Sequence, residues 1–196
     1  MELQLRRMRR PTLLIINGLP ASGKSTLAGG LANLLNLPVF KKDDIKEQLA
    51  DSIGIVDLKF SRLFGKASYI TLYSVAGELL KKKCSLIIEG NFGAGDETSA
   101  FVDFLKHGDF IVIEVLCYAS SQILFDRFSA RKRHPIHHVL PPSSFEPLFQ
   151  QEKIPSLRVG KTIEFDTSDL SKISYQELAR KIEHYMLSAD SSQLAG

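Results

Sequence analysis

Ile15-Ile16-Asn17-Gly18-Leu19-Pro20-Ala21-Ser22-Gly23-Lys24-Ser25-Thr26 carries the spacing G-x-x-x-x-G-K-S, and its surroundings decide the fold. Upstream, Leu13-Leu14-Ile15-Ile16 is a short apolar run that reads as a buried strand. Downstream, Leu27, Leu31, Leu34 and Leu35 recur at helical spacing from Lys24 onward. A strand that turns through glycines into a helix N-terminus presents inward-facing N–H groups and positive partial charge, which suits an anion. In this pattern the backbone from Gly18 through Leu19, Pro20, Ala21, Ser22 and Gly23 to Thr26 wraps α- and β-phosphates. Lys24 supplies a point charge to the β- and γ-phosphates, and the Ser25 hydroxyl ligates Mg²⁺. The stretch reads as a nucleotide-phosphate site.

The composition fits one well-buried domain. The chain has 196 residues, 44% apolar and 24% charged, which excludes disordered and collagen-like classes. Its 25 basic and 22 acidic residues are too evenly balanced to demand a nucleic-acid or membrane partner. The two cysteines, Cys84 and Cys117, lie beside apolar runs and read as reduced core thiols of a cytoplasmic protein. No apolar run approaches a membrane span, and basic Met1–Arg10 lacks the features of a secretory signal. The expected organisation is a basic arm over residues 1–11, one domain over 12–188 and a frayed tail over 189–196.

Strands and helices alternate along the chain. Leu37–Phe40 reads as a second strand, followed by a helix over 43–50 that Asp43 or Asp44 is placed to cap. A connector over 51–59 precedes a long helix over 60–83, with Phe60, Leu63, Phe64, Ala67 and Ile70 at helical spacing. Ser85–Glu89 and Phe110–Leu116 read as further strands, with helices over 97–106 and 120–131 after them. Residues 132–142 read as a loop and 143–152 as a short helix. Thr162–Phe165 is the fifth strand and Ser174–Leu187 the closing helix. Continuous apolar strands between helices imply a parallel sheet covered on both faces, with functional groups at the carboxyl ends of the strands.

Polar clusters sit at those ends. Asp43 and Asp44 follow the second strand; Asp43, nearest the strand end, is the candidate general base that accepts a proton from an acceptor hydroxyl. Glu89 and Asn91 follow the third strand and suit a substrate hydroxyl, with Glu89 also able to reach Mg²⁺ through water. Arg127, Arg131, Lys132 and Arg133 form a basic run without an acid. Such a run makes a lid over about 127–142, whose arginines neutralise a transferring phosphoryl group. Arg127 and Arg131 are spaced to share a helical face, and Arg127 is also a nucleotide contact. Arg133 is a substrate contact. His134, His137 and His138 lack the helix and cysteines a zinc site would use. Asp166-Thr167-Ser168 could lie beside a nucleobase.

Gly18–Thr26, Lys42-Asp43-Asp44-Ile45, Glu89-Gly90-Asn91-Phe92 and Arg127…Arg131…Arg133-His134-Pro135 together resemble the small P-loop kinases of the zeta-toxin, chloramphenicol-phosphotransferase and polynucleotide-kinase group, and among them a branch of ATP-binding AAA-type kinases with an Arg-His-Pro-x-His lid. The resemblance spans about Thr12 to Thr167 and carries Ile136 where that lid commonly has glycine. It implies an α/β P-loop NTPase three-layer sandwich: a five-stranded parallel sheet, helices on both faces and a basic lid. It also implies a kinase using ATP and Mg²⁺ on a small-molecule hydroxyl acceptor, with Asp43 as base and Arg127 and Arg131 as the lid arginines. A polynucleotide 5′-hydroxyl kinase and a non-catalytic nucleotide switch, in which Asp43 is merely a cap, are the competing expectations.

Overall fold

A run of four large apolar residues at the start of β1 (Thr12–Gly18) has two faces to cover, and the structure covers both. In a computed structural model that describes residues 10–54, 57–93, 96–137 and 141–191, β1 is the central strand of a five-stranded sheet. The order is β2-β3-β1-β4-β5 and every pairing is parallel, with β2 at Val39–Lys41, β3 at Leu86–Gly90, β4 at Ile111–Tyr118 and β5 at Lys161–Asp166. Side chains alternate across a strand, so Leu14 and Ile16 pack on one face under α1 (Lys24–Leu35) and the closing helix α7 (Tyr175–Ser191). Leu13 and Ile15 pack on the other, under α3 (Leu58–Lys81) and α4 (Asp96–His107). A third cluster, around Leu19, Leu124, Phe128 and Phe149, lies under α5 (Ser121–Ala130) and the one-turn helix α6 (Glu146–Phe149).

One polar network crosses this apolar sheet. Glu114, fully buried in β4, accepts from Asn17 Nδ2 at 2.8 Å, Ser156 Oγ at 2.6 Å and the Leu157 N–H at 3.1 Å. Asn17 in β1 also donates to Phe92 O at 3.2 Å and accepts from the N–H groups of Gly18 and Phe92 at 2.9 and 2.8 Å. The start of the phosphate-binding turn and the exit of β3 are thereby tied to one side chain.

Several elements depart from expectation. Helix α2 runs over Lys42–Ile53, and its N-cap is Lys41; Asp43 and Asp44 lie inside the first turn instead of capping it. Helix α3 starts at Leu58 because Asp57 caps it, accepting from the Phe60 N–H at 2.7 Å. Its buried face is Ser61, Phe64, Ser68, Leu72, Ala76 and Leu80, whereas Leu63 and Ile70 are about half exposed. The buried hydroxyls are accommodated because Ser68 donates to Phe64 O and Ser61 to Ile136 O. Leu34 of α1 is likewise exposed, and so is Cys84, while Cys117 is buried; both thiols are free. Within the expected 132–142 loop, Pro135–His137 forms a 3-10 turn, and Pro142–Phe145 forms another before α6. Helix α7 continues through Ser191, into the span read as a frayed tail, and Arg10 is pinned by Asp190 and by Phe110 O. Residues 1–9 of the arm and 192–196 of the tail lie outside the described residues. No described helix is long and apolar enough to cross a membrane.

Asn17 makes a sharp test of this arrangement. Replacing it by Ala takes one donor from Glu114, which keeps Ser156 and Leu157, and removes the partner of the Phe92 N–H and C=O in a buried setting, at about 1–3 kcal/mol for each group left unpaired. Asn17→Ala should lose roughly 3 kcal/mol or more in urea unfolding; a loss below about 1 kcal/mol would contradict the network's role.

Candidate active site

The phosphate-binding turn follows from steric limits at two glycines. A Cβ on Gly18 would lie 2.5 Å from Ser22 Oγ and 2.6 Å from Cys117 O, so no larger residue fits there. Gly23 is left-handed at φ 75° and ends the turn as N-cap of α1. Ala21 is also left-handed, at φ 64°, and this alternation turns successive N–H groups toward one point, an anion-binding nest. Gly23 offers no side-chain cap and the first turn of α1 holds no acid, which leaves its N–H groups for a ligand.

Lys24 is 7% exposed, bonds Leu19 O at 3.3 Å and lies 3.7 Å from Glu89 Oε1. Parallel pairing of β3 with β1 sets Glu89 level with Ile16, just before the turn. Burial raises the Glu89 carboxyl above its ordinary range, against the pull of Lys24 and a hydrogen bond from Ser25. Glu89, Ser25 and Lys24 therefore form one cluster at the mouth of the turn. A hydroxyl and a carboxylate side by side are hard oxygen donors of the type Mg²⁺ takes. Ser22 is buried, Pro20 and Ser25 half-buried, and Thr26 exposed at the outer side of the helix start.

A cavity of about 280 Å³ opens beside this cluster, and Lys24, Asp43, Tyr69, Asn91, Arg133 and His137 share its wall. Asp43 reaches it from the first turn of α2, with Lys42 Nζ at 3.1 Å from its Oδ1. Burial works to raise its carboxyl, but Lys42, His137 and Lys24 together outweigh that and hold it well below the usual carboxylate range. Asp44 lies apart: its side chain is exposed and 3.9 Å from Lys41. Asn91 is fixed by Tyr69, whose hydroxyl donates to its backbone carbonyl.

The basic run divides between two places. Arg127 donates to Thr167 O at 2.9 Å and Ser168 O at 3.1 Å, and Thr167 packs against Gly23. Arg127 thus steadies the loop beside the phosphate-binding turn, while its Nη1 is buried and unbonded. Helix α5 ends at Ala130; Arg131 is extended and exposed, so it does not join Arg127 on a shared helical face. Arg133 lays its guanidinium 4.5 Å from the Phe128 ring centre and faces the cavity. Beyond it the chain is clamped to α2 and α3: His134 pairs with Asp51 at 2.9 Å, His137 with Glu47 at 3.0 Å, and Ile136 packs with Ala50 and Phe64. In this structure the Arg-His-Pro-Ile-His segment forms a wall of the Asp43 cavity. His138 lies outside the described residues.

Lys42, Lys46 and His137 were not among the expected site residues. Lys46 had a visible signal, since it stands three residues after Asp43 on one helix and so shares its face. Lys42 and His137 were visible as members of the Lys42-Asp43-Asp44-Ile45 and Arg-His-Pro-x-His motifs, but their partners, Asp43 for Lys42 and Glu47 for His137, are set by tertiary packing.

The buried imidazole gives a pH test. Burial, aided by Lys46, Lys42 and Arg133, pushes the His137 pKa from 6.5 down to about 4 against the opposing pull of Asp43. The unfolded chain takes up this proton near pH 6.5 and the native state only near 4, so His137 weakens the fold as pH falls between those values. His137→Gln removes that proton, so its stability should fall less steeply from pH 6.5 to 4 in denaturant titrations. Identical pH slopes would contradict the assignment.

A family model described as "AAA domain" matches residues 13–143. Among solved structures, a candidate kinase from Chloroflexus aurantiacus J-10-fl is 31% identical, with a TM-score of 0.83 over 90% of this chain and 99% of that one. A gluconokinase from Sinorhizobium meliloti 1021 shares the fold at 14% identity and a TM-score of 0.54, covering 96% of this chain and 98% of its own. The APS kinase of Mycobacterium tuberculosis, solved with AMPPNP and APS, does so at 15% identity and a TM-score of 0.55, with 91% and 98% covered. Uncharacterised proteins of Mycobacterium tuberculosis and Mycobacterium bovis are 29% identical over 129 residues, 61% of this chain and 25% of theirs. The chain thus spans about a quarter of the length of these curated relatives. The architecture is a P-loop kinase-like fold, and the chain belongs to the AAA-domain family.

Proposed function

We propose that the chain is an ATP- and Mg²⁺-dependent phosphotransferase that moves the γ-phosphoryl group to a hydroxyl of a small molecule. The observation that carries this reading is Asp43, which faces the same cavity as Lys24 from a position in α2 where it caps nothing. A switch that used Asp43 only as a helix cap would not have it there. The size of the cavity, about 280 Å³, lies at the lower end of the range for ligand pockets and suits a small acceptor.

The nest at Ala21–Gly23 and the open N-terminus of α1 fit a polyphosphate. Ser25 and Glu89 would hold Mg²⁺, which when bound neutralises charge on the β- and γ-phosphates. Lys24 supplies positive charge at the same end. Asp43, ionised across the physiological range, orients the acceptor hydroxyl and takes its proton as the new oxygen–phosphorus bond forms and the bond to the departing ADP breaks. Arg127 braces the Thr167–Ser168 loop beside the nucleotide, and Arg131, exposed between the two halves of the basic run, is free to turn toward the transferring group. The finer likeness to the zeta-toxin and chloramphenicol-phosphotransferase group, carried by Asp43 and the Arg-His-Pro-Ile-His segment, belongs to the same proposal.

Asp43→Asn keeps the shape of the side chain and removes the base. With any acceptor that stimulates ADP release, it should lower kcat by about 10²–10⁴-fold while ATP affinity stays within about twofold. A kcat within about threefold of wild type would exclude Asp43 as the base.

A further inference from the structure

Lys46 is a buried cation with too few partners. It is 8% exposed, and among the described residues its ammonium makes one hydrogen bond, to Ser61 Oγ at 2.8 Å, and no ion pair. An ammonium carries three donors and is costly to bury unpaired. The acids nearby are already engaged: Asp43 by Lys42 at 3.1 Å, and Glu47 by His137 at 3.0 Å. Burial and the neighbouring Lys42 draw the Lys46 pKa down to about 8, which leaves it mostly charged at neutral pH.

The imbalance extends over the cavity. Among the described residues its wall carries Lys24, Lys42, Lys46, Arg62 and Arg133 against Asp43 as the one carboxylate. Phosphates of a nucleotide account for Lys24, and Asp43 accounts for Lys42. Lys46, Arg62 and Arg133 remain, and none has an ion pair among the described residues. Arg133 rests its flat face on Phe128, an arrangement that leaves its N–H edge for a planar or tetrahedral oxyanion.

We infer that the acceptor is itself an anion, a hydroxy compound bearing a carboxylate or a phosphate, and that Lys46 with Arg133 receives this group while the hydroxyl lies at Asp43. The place of the hydroxyl rests on the phosphotransfer reading above; the anion site does not. One helical turn separates Asp43 from Lys46, so the acceptor's hydroxyl and its charged group lie only a few bonds apart. Arg62, exposed at the rim, steers the same charge inward.

Lys46 could instead be a strut, since its bond to Ser61 continues to Ile136 O at 2.9 Å. The two roles predict opposite results. Ser61 keeps its bond to Ile136 without Lys46, so removing an unpaired buried charge should leave the free protein as stable or more so, whereas removing a strut should lower its Tm.

The experiment is calorimetric titration of the full chain with its nucleotide site saturated by Mg²⁺–AMPPNP, which keeps the probes off the phosphate-binding turn. The probes are matched sets: glycerol, glycerate and glycerol 3-phosphate; glucose, glucuronate and glucose 6-phosphate. At least one acid or phosphate ester should bind tenfold or more tighter than its neutral parent. Lys46→Met should erase that preference without lowering Tm, and Lys46→Arg should retain most of it. The carboxylate and phosphate members show which anion the site takes. Neutral parents binding as tightly as their acids, no member of either set binding, an unchanged preference in Lys46→Met, or weakened AMPPNP binding in place of weakened acid binding would each overturn the inference. ADP release with the same probes separates it from the catalytic reading. Acid binding that depends on Lys46 but yields no ADP removes phosphotransfer to these compounds and leaves the anion site standing. Turnover with neutral acceptors alone removes the anion site and leaves the kinase.

Discussion

The side-chain amide of Asn17 makes four hydrogen bonds, two as donor and two as acceptor, which is its full capacity. It stands at the last turn of backbone before Gly18 and joins three things that sequence keeps far apart: the first N–H of the phosphate-binding turn, the exit of β3 at Phe92, and the buried Glu114 of β4. Glu114 passes the connection on to Ser156, Leu157 and Thr162. A buried network of this kind tolerates little partial satisfaction, so its geometry is stiff. Lys24, Glu89 and Asn91 inherit their spacing from it. Asp43 joins them because β2 pairs with β3 at Lys41–Glu89, and α2 begins one residue later.

What this stiff edge supports is a cavity rich in charge. Asp43 and Lys46 stand on one face of α2, and the Arg133–His137 segment closes over them from across the cleft. Ile136, fully buried with Ala50 and Phe64, gives that segment an apolar anchor, and the His134–Asp51 and His137–Glu47 pairs flank it. Holding a cation such as Lys46 out of water while the nearby acids Asp43 and Glu47 are engaged by Lys42 and His137 works against stability. Such an arrangement is characteristic of a site whose missing charge arrives with a ligand.

Much of the fold was legible because the signals were local. The glycine spacing, the apolar runs of β1, β3 and β4, and their alternation with helices gave the parallel sheet and the position of the phosphate-binding turn. The position of Asp43 on the cleft was legible from its place just after β2. The signals failed where tertiary partners overrode local pattern. Ser61 and Ser68 are buried in α3 because backbone carbonyls accept their protons, and Leu63 and Ile70 are left outside, the reverse of a hydropathy reading. The cap of α2 was misplaced because an acid at a helix start reads as a cap, whereas here the helix begins at Lys42 and leaves the acids in its first turn. The Arg-His-Pro-Ile-His segment reads as a polar loop until Glu47 and Asp51, distant in sequence, are seen to hold it.

The central claim is that this cleft transfers phosphate to an acceptor rather than binding nucleotide alone, and ³¹P NMR of the reaction mixture tests it directly. With ATP, Mg²⁺ and an acceptor that fills the cavity, a new phosphomonoester resonance should grow in step with ADP. ADP accompanied by inorganic phosphate alone, or ATP that persists unchanged with every acceptor offered, would contradict it.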